Sequence, residues 1–189
     1  MTVSRNLLAG LFAFGLAADP AFSAPIIYTS GPDPAEACAM GVAEPGKADA
    51  SLKRLCEQAA RDTLLSVHDR AASLANSGIV DLRLGHFEEA FARLEKARRL
   101  DPGNGDIAIS LAATLIRLNR PAEAVTALSD LSAVSPDKLH VAHYNRGLAH
   151  WVLEDIEAAH RDFLASAGAR PDYTPASEAL AQFRVTPAE

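Results

Sequence analysis

Three histidines, at positions 140, 143 and 150, form the one group of side chains whose type and spacing could bind a metal ion. His140 and His143 would share one face of a helix, because they are three residues apart. His150 lies about two helical turns beyond His143, too far for a shared ion without ligands from another segment. The sequence contains no phosphate-binding glycine loop, nucleophile elbow or zinc-helix motif. We therefore expect a protein that is not an enzyme and has no metal or cofactor.

The amino terminus has the composition of a secretory signal peptide. Arg5 supplies a positive charge, and the apolar run from Leu7 to Ala18 is too short to span a bilayer. Small residues follow, and cleavage after Ser23 is preferred, with cleavage after Ala24 as the alternative. An uncleaved anchor is a further alternative. We predict a signal peptide over residues 1–23 and a protein that is periplasmic or secreted, without a membrane span in its mature form.

Export would place Cys38 and Cys56 in an oxidising compartment, where disulfide bonds form and persist. Cys38 lies on a short predicted helix that begins at Asp33-Pro34 and ends near Gly41. Cys56 lies in the apolar stripe of a second predicted helix, over Leu52 to Val67. We predict a disulfide bond between the two cysteines. Two separately buried thiols are the alternative.

The central part of the chain repeats itself at a spacing of 34 and then 35 residues. Five kinds of residue recur in phase: a small residue, a leucine, an alanine, a large apolar residue and a proline. They are Gly78, Ala112 and Gly147; Leu84, Leu118 and Leu153; Ala90, Ala124 and Ala159; Leu94, Leu128 and Phe163; and Pro102, Pro136 and Pro171. Small residues let two helices approach closely, and the proline is expected to end the second helix of each unit. Each unit is therefore predicted to be a pair of antiparallel helices.

This pattern resembles the tetratricopeptide repeat family, whose unit is an antiparallel helix pair of about 34 residues. The resemblance covers Ala71 to Tyr173. It implies an all-α fold, namely an α-solenoid of three tetratricopeptide-like helix hairpins with N-terminal extra helices and a C-terminal capping helix. The predicted units are a mature N-terminal segment with a short helix (24–47), an N-terminal capping helix (48–70), three repeats (71–104, 105–138 and 139–173) and a C-terminal capping helix with a tail (174–189).

The turn between the two helices of each repeat is predicted to differ in the third repeat. Gly85 and Asn119 suit the left-handed backbone that commonly ends a helix. Glu154 stands at this place in the third repeat and does not suit that backbone, so its turn is expected to close differently. After the third repeat, a helix is predicted from Thr174 to Phe183, followed by a frayed tail.

The resemblance implies that the first helix of each repeat lines a concave groove for a peptide or protein partner. Asn76 and Asn145 share one repeat position, which is similar to the asparagine ladder of peptide-binding tetratricopeptide superhelices; local hydrogen bonding is the alternative role. Arg83 and Arg117 share another position and could receive a carboxylate, or could be ordinary solvated arginines. The predicted partner-binding residues are Asn76, Ile79, Arg83, Ser110, Arg117, Tyr144, Asn145 and Trp151.

The aromatic members of this set, Tyr144 and Trp151, could anchor a partner or could pack on the C-terminal helix. A formal net charge of −6 with dispersed basic residues argues against nucleic acid as the partner. We therefore expect a non-catalytic protein–protein interaction module. The alternative is a structural subunit of a cell-envelope assembly without a reversible ligand.

Overall fold

The computed structural model describes residues 2–5 and 34–186. The described part is almost entirely helical, as predicted, and its helices pack against one another in chain order. The helices are α1 (Pro34–Ala43), α2 (Ala50–Arg61), α3 (Val67–Leu84), α4 (Phe87–Leu100), α5 (Gly105–Arg117), α6 (Pro121–Ala127), α7 (Leu139–Val152), α8 (Ile156–Ala169) and α9 (Thr174–Leu180). The predicted cleavage sites after Ser23 and Ala24 lie outside the described residues. No helix within the described residues is long and apolar enough to span a membrane.

Three helix pairs, α3 with α4, α5 with α6 and α7 with α8, form the predicted solenoid. The first helices α3, α5 and α7 also pack side by side. A shared apolar core runs through α3 to α7, and its side chains include Leu94, Ile107, Leu111 and Leu128. The predicted all-α solenoid with extra helices at both ends is confirmed.

The recurring small residues set how closely the two helices of a pair approach. A Cβ atom at Gly78 would lie 2.9 Å from Cγ of Leu94, and one at Gly147 would lie 2.9 Å from the ring of Phe163. The recurring alanines Ala90, Ala124 and Ala159 are fully buried in the second helices. A larger side chain at these positions would push the helices apart.

Helix α6 has 7 residues, whereas α4 and α8 have 14 each. At the places where α4 has Glu95 and Lys96, repeat two has Ser129 and Asp130, which favour turns over helix because their side chains hydrogen-bond to nearby backbone. Asp130 does so, because its Oδ1 accepts from the amide of Ser132 at 2.9 Å. The expectation that Pro136 ends this helix is wrong: α6 ends at Ala127, and Pro136 begins a short 3₁₀ helix, Pro136–Lys138.

The turns of all three repeats contain a residue with positive φ: Gly85 at 81°, Asn119 at 57° and Glu154 at 62°. The expectation that the third turn closes differently is therefore wrong. In that turn the amide of Asp155 donates to the backbone carbonyl of His150 at 3.0 Å. In the turn of repeat one the amide of His86 donates in the same way to the backbone carbonyl of Asp81 at 2.9 Å. These backbone hydrogen bonds satisfy carbonyls at the helix end and hold Glu154 in a conformation that glutamate disfavours.

Replacing Glu154 by glycine is expected to raise the free energy of unfolding by about 0.5–1 kcal/mol, because glycine adopts positive φ without strain. The matched variant is Gly85→Ala, at the same place in repeat one, where an added Cβ would meet no atom within 4 Å. It is expected to lower the free energy of unfolding by about 1–2 kcal/mol, from backbone strain alone. Urea unfolding of both variants checks this, and destabilisation by Glu154→Gly would contradict it.

Both ends of the solenoid differ in detail from the prediction. Gly41 does not end α1, which continues to Ala43. The second predicted helix does not reach Val67: α2 ends at Arg61, and Val67 begins α3. At the other end, α9 stops at Leu180, short of the predicted Phe183. The expected frayed tail is replaced as far as Thr186 by a strand, because β2 (Phe183–Thr186) pairs with β1 (Thr2–Arg5) in an antiparallel ribbon. Cleavage after Ser23 would remove β1 and leave the backbone of β2 without this partner.

The two cysteines meet where α1 packs against α2. The Sγ atoms of Cys38 and Cys56 are 2.10 Å apart, and both side chains are fully buried. They pack with Val42, Leu52 and, from α3, Ile79. Helices α1 and α2 therefore cover the side of α3 that faces away from repeat two.

Candidate functional site

Five of the eight predicted partner-binding residues are buried in the described structure. The first helices pack so closely on one another and on α1 that their inner positions face neighbouring helices instead of solvent. The buried residues are Asn76, Ile79, Ser110, Tyr144 and Asn145. A partner could reach them only if the first helices separated.

The two asparagines act at the contacts between first helices. Nδ2 of Asn145 on α7 donates to the carbonyl of Ile109 on α5 at 3.4 Å. Within the described residues, the Oδ1 atoms of Asn76 and Asn145 accept no hydrogen bond. A buried amide without its hydrogen bonds destabilises the fold. The stability of the contacts between first helices is therefore sensitive to the hydrogen bonding of these two side chains.

The aromatic pair packs on the C-terminal elements, which was one of the two roles considered for it. The ring of Tyr144 meets that of Tyr173 edge to face, with centroids 5.5 Å apart. Trp151 meets Phe183 in the same way at 5.1 Å. Trp151 is half-buried, so part of its ring still reaches the surface.

The two arginines that share a repeat position have different surroundings. Arg83 donates to the carbonyls of Val42 at 2.8 Å and Lys47 at 2.9 Å, at the end of α1 and just beyond it. Burial lowers the pKa of Arg83, which nevertheless stays a cation at neutral pH. Arg117 is exposed, and its guanidinium lies 4.5 Å from the ring centroid of Phe87 at the start of α4. Of the two, Arg117 is the better placed to meet a carboxylate from outside.

The part of the predicted groove that remains open lies at the carboxyl-terminal ends of the first helices. Three consecutive residues of each repeat stand there at equivalent positions, and we call this surface the helix-end patch. Val152 is 48% exposed and Leu153 45%, and Trp151 is less exposed than either. The patch comprises Leu82, Arg83 and Leu84; Ile116, Arg117 and Leu118; and Trp151, Val152 and Leu153.

Seven of these nine side chains are apolar and two are arginines. Apolar side chains that lie together on a surface mark sites of interaction. The sequence signal for this surface is the recurrence of Leu84, Leu118 and Leu153 in phase, which also marks the repeat.

A buried ionic cluster joins the two helices of repeat three. The carboxylate of Asp162 on α8 is 6% exposed and accepts from both Nε and Nη2 of Arg146 on α7, at 2.8 and 2.7 Å. Nδ1 of His143 lies 3.1 Å from the same carboxylate. Burial raises the pKa of Asp162, but the hydrogen bonds from Arg146 and His143 outweigh it and leave the pKa below its ordinary value.

A similar cluster joins the helices of repeat one. The fully buried Asp81 on α3 lies 2.7 Å from Nζ of Lys53 and 2.5 Å from Nη1 of Arg93. Asp81 and Arg93 are at the repeat positions that His150 and Asp162 occupy in repeat three, so the aspartate lies on the first helix in repeat one and on the second helix in repeat three. Neither cluster was predicted, although a charged residue at a helix position that is otherwise apolar was the available signal.

The three histidines are not brought to one point. His143 and His150 face Asp162, whereas the ring of the buried His140 packs on Tyr173 at a centroid distance of 4.9 Å. The described residues contain no group of three or more histidine, cysteine, aspartate or glutamate side chains that could hold a metal ion.

The stability of the protein is expected to fall as the pH drops below about 6.5, in part because of His140. Burial, with a smaller contribution from Arg170, lowers its pKa in the folded state, so the unfolded chain binds this proton more readily. His140→Phe keeps a ring beside Tyr173 and removes the titration. Urea unfolding at pH 7.5 and pH 5.5 should show a smaller difference for this variant than for wild type; equal differences would contradict the prediction.

Comparison with known proteins agrees with this architecture. Residues 81–149 match the family model described as tetratricopeptide repeat. A solved structure of MamA AMB-1 is 23% identical, with 69% of this chain and 68% of that chain covered and a TM-score of 0.53. A MamA mutant is 22% identical, with coverages of 78% and 77% and a TM-score of 0.55. A MamA RS-1 double mutant is 19% identical, with coverages of 70% and 81% and a TM-score of 0.54.

A search of curated proteins found no significant match. At these identities, the solved structures show a shared fold alone. The repeat match and the fold together support a protein–protein interaction module. The helix pairs and their spacing agree with this match of residues 81–149 to the tetratricopeptide repeat model.

Proposed function

We propose that this chain is a non-catalytic interaction module of the exported fraction and that a protein partner docks on the helix-end patch. The observation that supports this most directly is the exposure of Val152, Leu153 and Arg117, at repeat positions that carry apolar or arginine side chains in all three repeats. The buried residues of the predicted groove would then hold the first helices together, and the patch at their ends would meet the partner.

The chemistry of the patch favours a partner segment with apolar side chains and one carboxylate. Leu84, Val152 and Leu153 would lose solvent contact on binding, which contributes about 25 cal/mol per Å² of buried apolar surface. The Arg117 guanidinium lies over the ring of Phe87 and could hold a carboxylate through two parallel hydrogen bonds.

The test is photo-crosslinking in the native exported fraction, with a crosslinking amino acid placed at position 117 or 153. The partner recovered should be lost in a Val152→Asp/Leu153→Asp variant that retains its thermal stability. The matched control is Leu164→Asp on α8, whose side chain is 50% exposed outside the patch, and it should retain the partner.

Two outcomes would overturn the proposal. A partner that binds the patch variant and wild type equally would place the interaction on another surface. If the isolated wild-type chain self-associates through the patch and no other protein is crosslinked, the alternative of a structural subunit applies instead.

A further inference from the structure

The C-terminal strand β2 covers part of the helix-end patch. The ring of Phe183, the first residue of β2, meets the Trp151 ring edge to face with centroids 5.1 Å apart. Phe183 also contacts two rings of α8, that of His160 at 5.0 Å and that of Phe163 at 6.0 Å. Helices α7 and α8 thus form an aromatic site that Phe183 occupies, and the part of Trp151 that faces this site is hidden from a partner.

Strand β2 is held in place by these ring contacts and by a two-stranded ribbon. It begins just beyond α9, which ends at Leu180. Among the described residues, β2 pairs with β1 alone. A two-stranded ribbon is at best marginally stable in water, and β1 lies within the predicted signal peptide (1–23). Cleavage would therefore remove the ribbon and leave the ring contacts of Phe183 as the main attachment of β2.

We propose that β2 is a removable cover of the helix-end patch, which the protein partner displaces when it binds Trp151. The inference rests on the proposed function, because it concerns the same patch. With Phe183 in place, a partner meets Val152 and Leu153 but only part of the Trp151 ring. When Phe183 leaves, the rest of that ring becomes available.

The chemistry of the vacated site indicates what the partner inserts. The site is formed by the rings of Trp151, His160 and Phe163, and aromatic rings pack edge to face with one another more favourably than aliphatic groups do. The partner segment therefore carries an aromatic side chain that replaces the ring of Phe183. Because only molecules with β2 displaced can accept this side chain, the closed cover lowers the apparent affinity of the patch.

The first measurement needs no partner. Trp151 is the single tryptophan of the sequence, so its fluorescence reports on the cover directly. In the purified chain, Phe183→Ala should shift the emission to longer wavelength and increase quenching by acrylamide. Phe183→Tyr keeps a ring at this place and is the matched control, with the emission of wild type. Deletion of residues 2–5 removes β1 and should change both signals in the same direction as Phe183→Ala, by a smaller amount.

The second measurement is the yield of the partner that crosslinks at position 153 in the exported fraction. In Phe183→Ala this yield should rise by about three-fold or more, because binding no longer requires displacement of the Phe183 ring. Phe183→Tyr should give the yield of wild type. If Phe183→Ala fails to fold, Phe183→Leu, which keeps an apolar side chain without a ring, takes its place in both measurements.

Three results would overturn the proposal, and they separate it from the proposed function. Unchanged emission and quenching without the Phe183 ring would show that β2 does not cover Trp151, whatever the crosslinking yield. Increased quenching with an unchanged or lower yield would show that the partner does not displace β2, while the patch remains its docking site. Increased quenching with no crosslinked partner in wild type or any variant would mean that the proposed function itself fails, and displacement by a partner fails with it.

Discussion

Replacing Asp162 by alanine is expected to lower the free energy of unfolding by about 3–5 kcal/mol, which is the usual effect of removing one partner of a buried ion pair. The carboxylate accepts two hydrogen bonds from Arg146, and its loss would leave that guanidinium between α7 and α8 without its anion. Thermal and urea unfolding of the purified chain would measure the change. The exposed Glu157→Ala on the same helix is the control, with an expected change within about 0.5 kcal/mol.

A paired replacement separates the ion pair from the packing. Arg146→Met with Asp162→Leu removes both charges and keeps the volume, so it should be much more stable than Asp162→Ala alone. A loss of only about 0.5 kcal/mol in Asp162→Ala, as for a pair on the surface, would contradict the buried cluster.

The same cluster predicts an acid dependence. Because the pKa of Asp162 is lower in the folded state, its contribution is present above the unfolded value of about 4 and is lost as the pH falls through the folded value. The difference in stability between wild type and Asp162→Ala should therefore shrink as the pH is lowered below about 4. A difference that stayed constant in acid would assign the effect to packing.

Loss of the predicted disulfide bond is expected to lower the free energy of unfolding by about 3 kcal/mol in the chain-entropy treatment. The two cysteines are 18 residues apart in sequence, and a bond between them restricts this segment in the unfolded chain. The oxidised mature protein should therefore unfold at higher urea than protein that was reduced under denaturing conditions and refolded with its thiols blocked.

Intact-mass measurement provides the chemical control for this prediction. Alkylation of the unfolded, unreduced protein should add no mass, whereas alkylation after reduction should modify both Cys38 and Cys56. Two modified cysteines in the unreduced protein would establish separately buried thiols instead. If the disulfide bond is present, a Cys38→Ala/Cys56→Ala variant should have the same free energy of unfolding as the reduced protein, apart from a small packing term.

The repeat architecture could be predicted because the residues that define it are constrained by size. Ala90 and Leu94 lie where two helices touch, and a position that admits only a small or only a large apolar side chain leaves a periodic mark in the sequence. The left-handed turn at Glu154 left no such mark. It depends on backbone hydrogen bonds that any residue can make, at the cost of some strain.

Burial of the predicted groove could not be derived in the same way. Asn76 and Asn145 are polar and stand at positions that line an open groove in the resembling superhelices, but here α1, α3, α5 and α7 pack closely enough to enclose them. The distance between neighbouring first helices depends on many small contacts at once. Repeat periodicity contains no information about it, so the sequence could indicate which face lines the groove but not how much of it reaches solvent.

The short α6 indicates which part of the solenoid unfolds locally first. Repeats one and three each contain a buried ionic cluster between their two helices, whereas repeat two has Leu115 and Ala127 at the corresponding positions and only 7 residues in its second helix. In a stack that depends on nearest neighbours, the unit with the fewest internal contacts unfolds locally at the lowest free energy. Amide hydrogens of α6 should thus exchange with deuterium before those of α4 and α8, so that local opening begins in the middle of the solenoid.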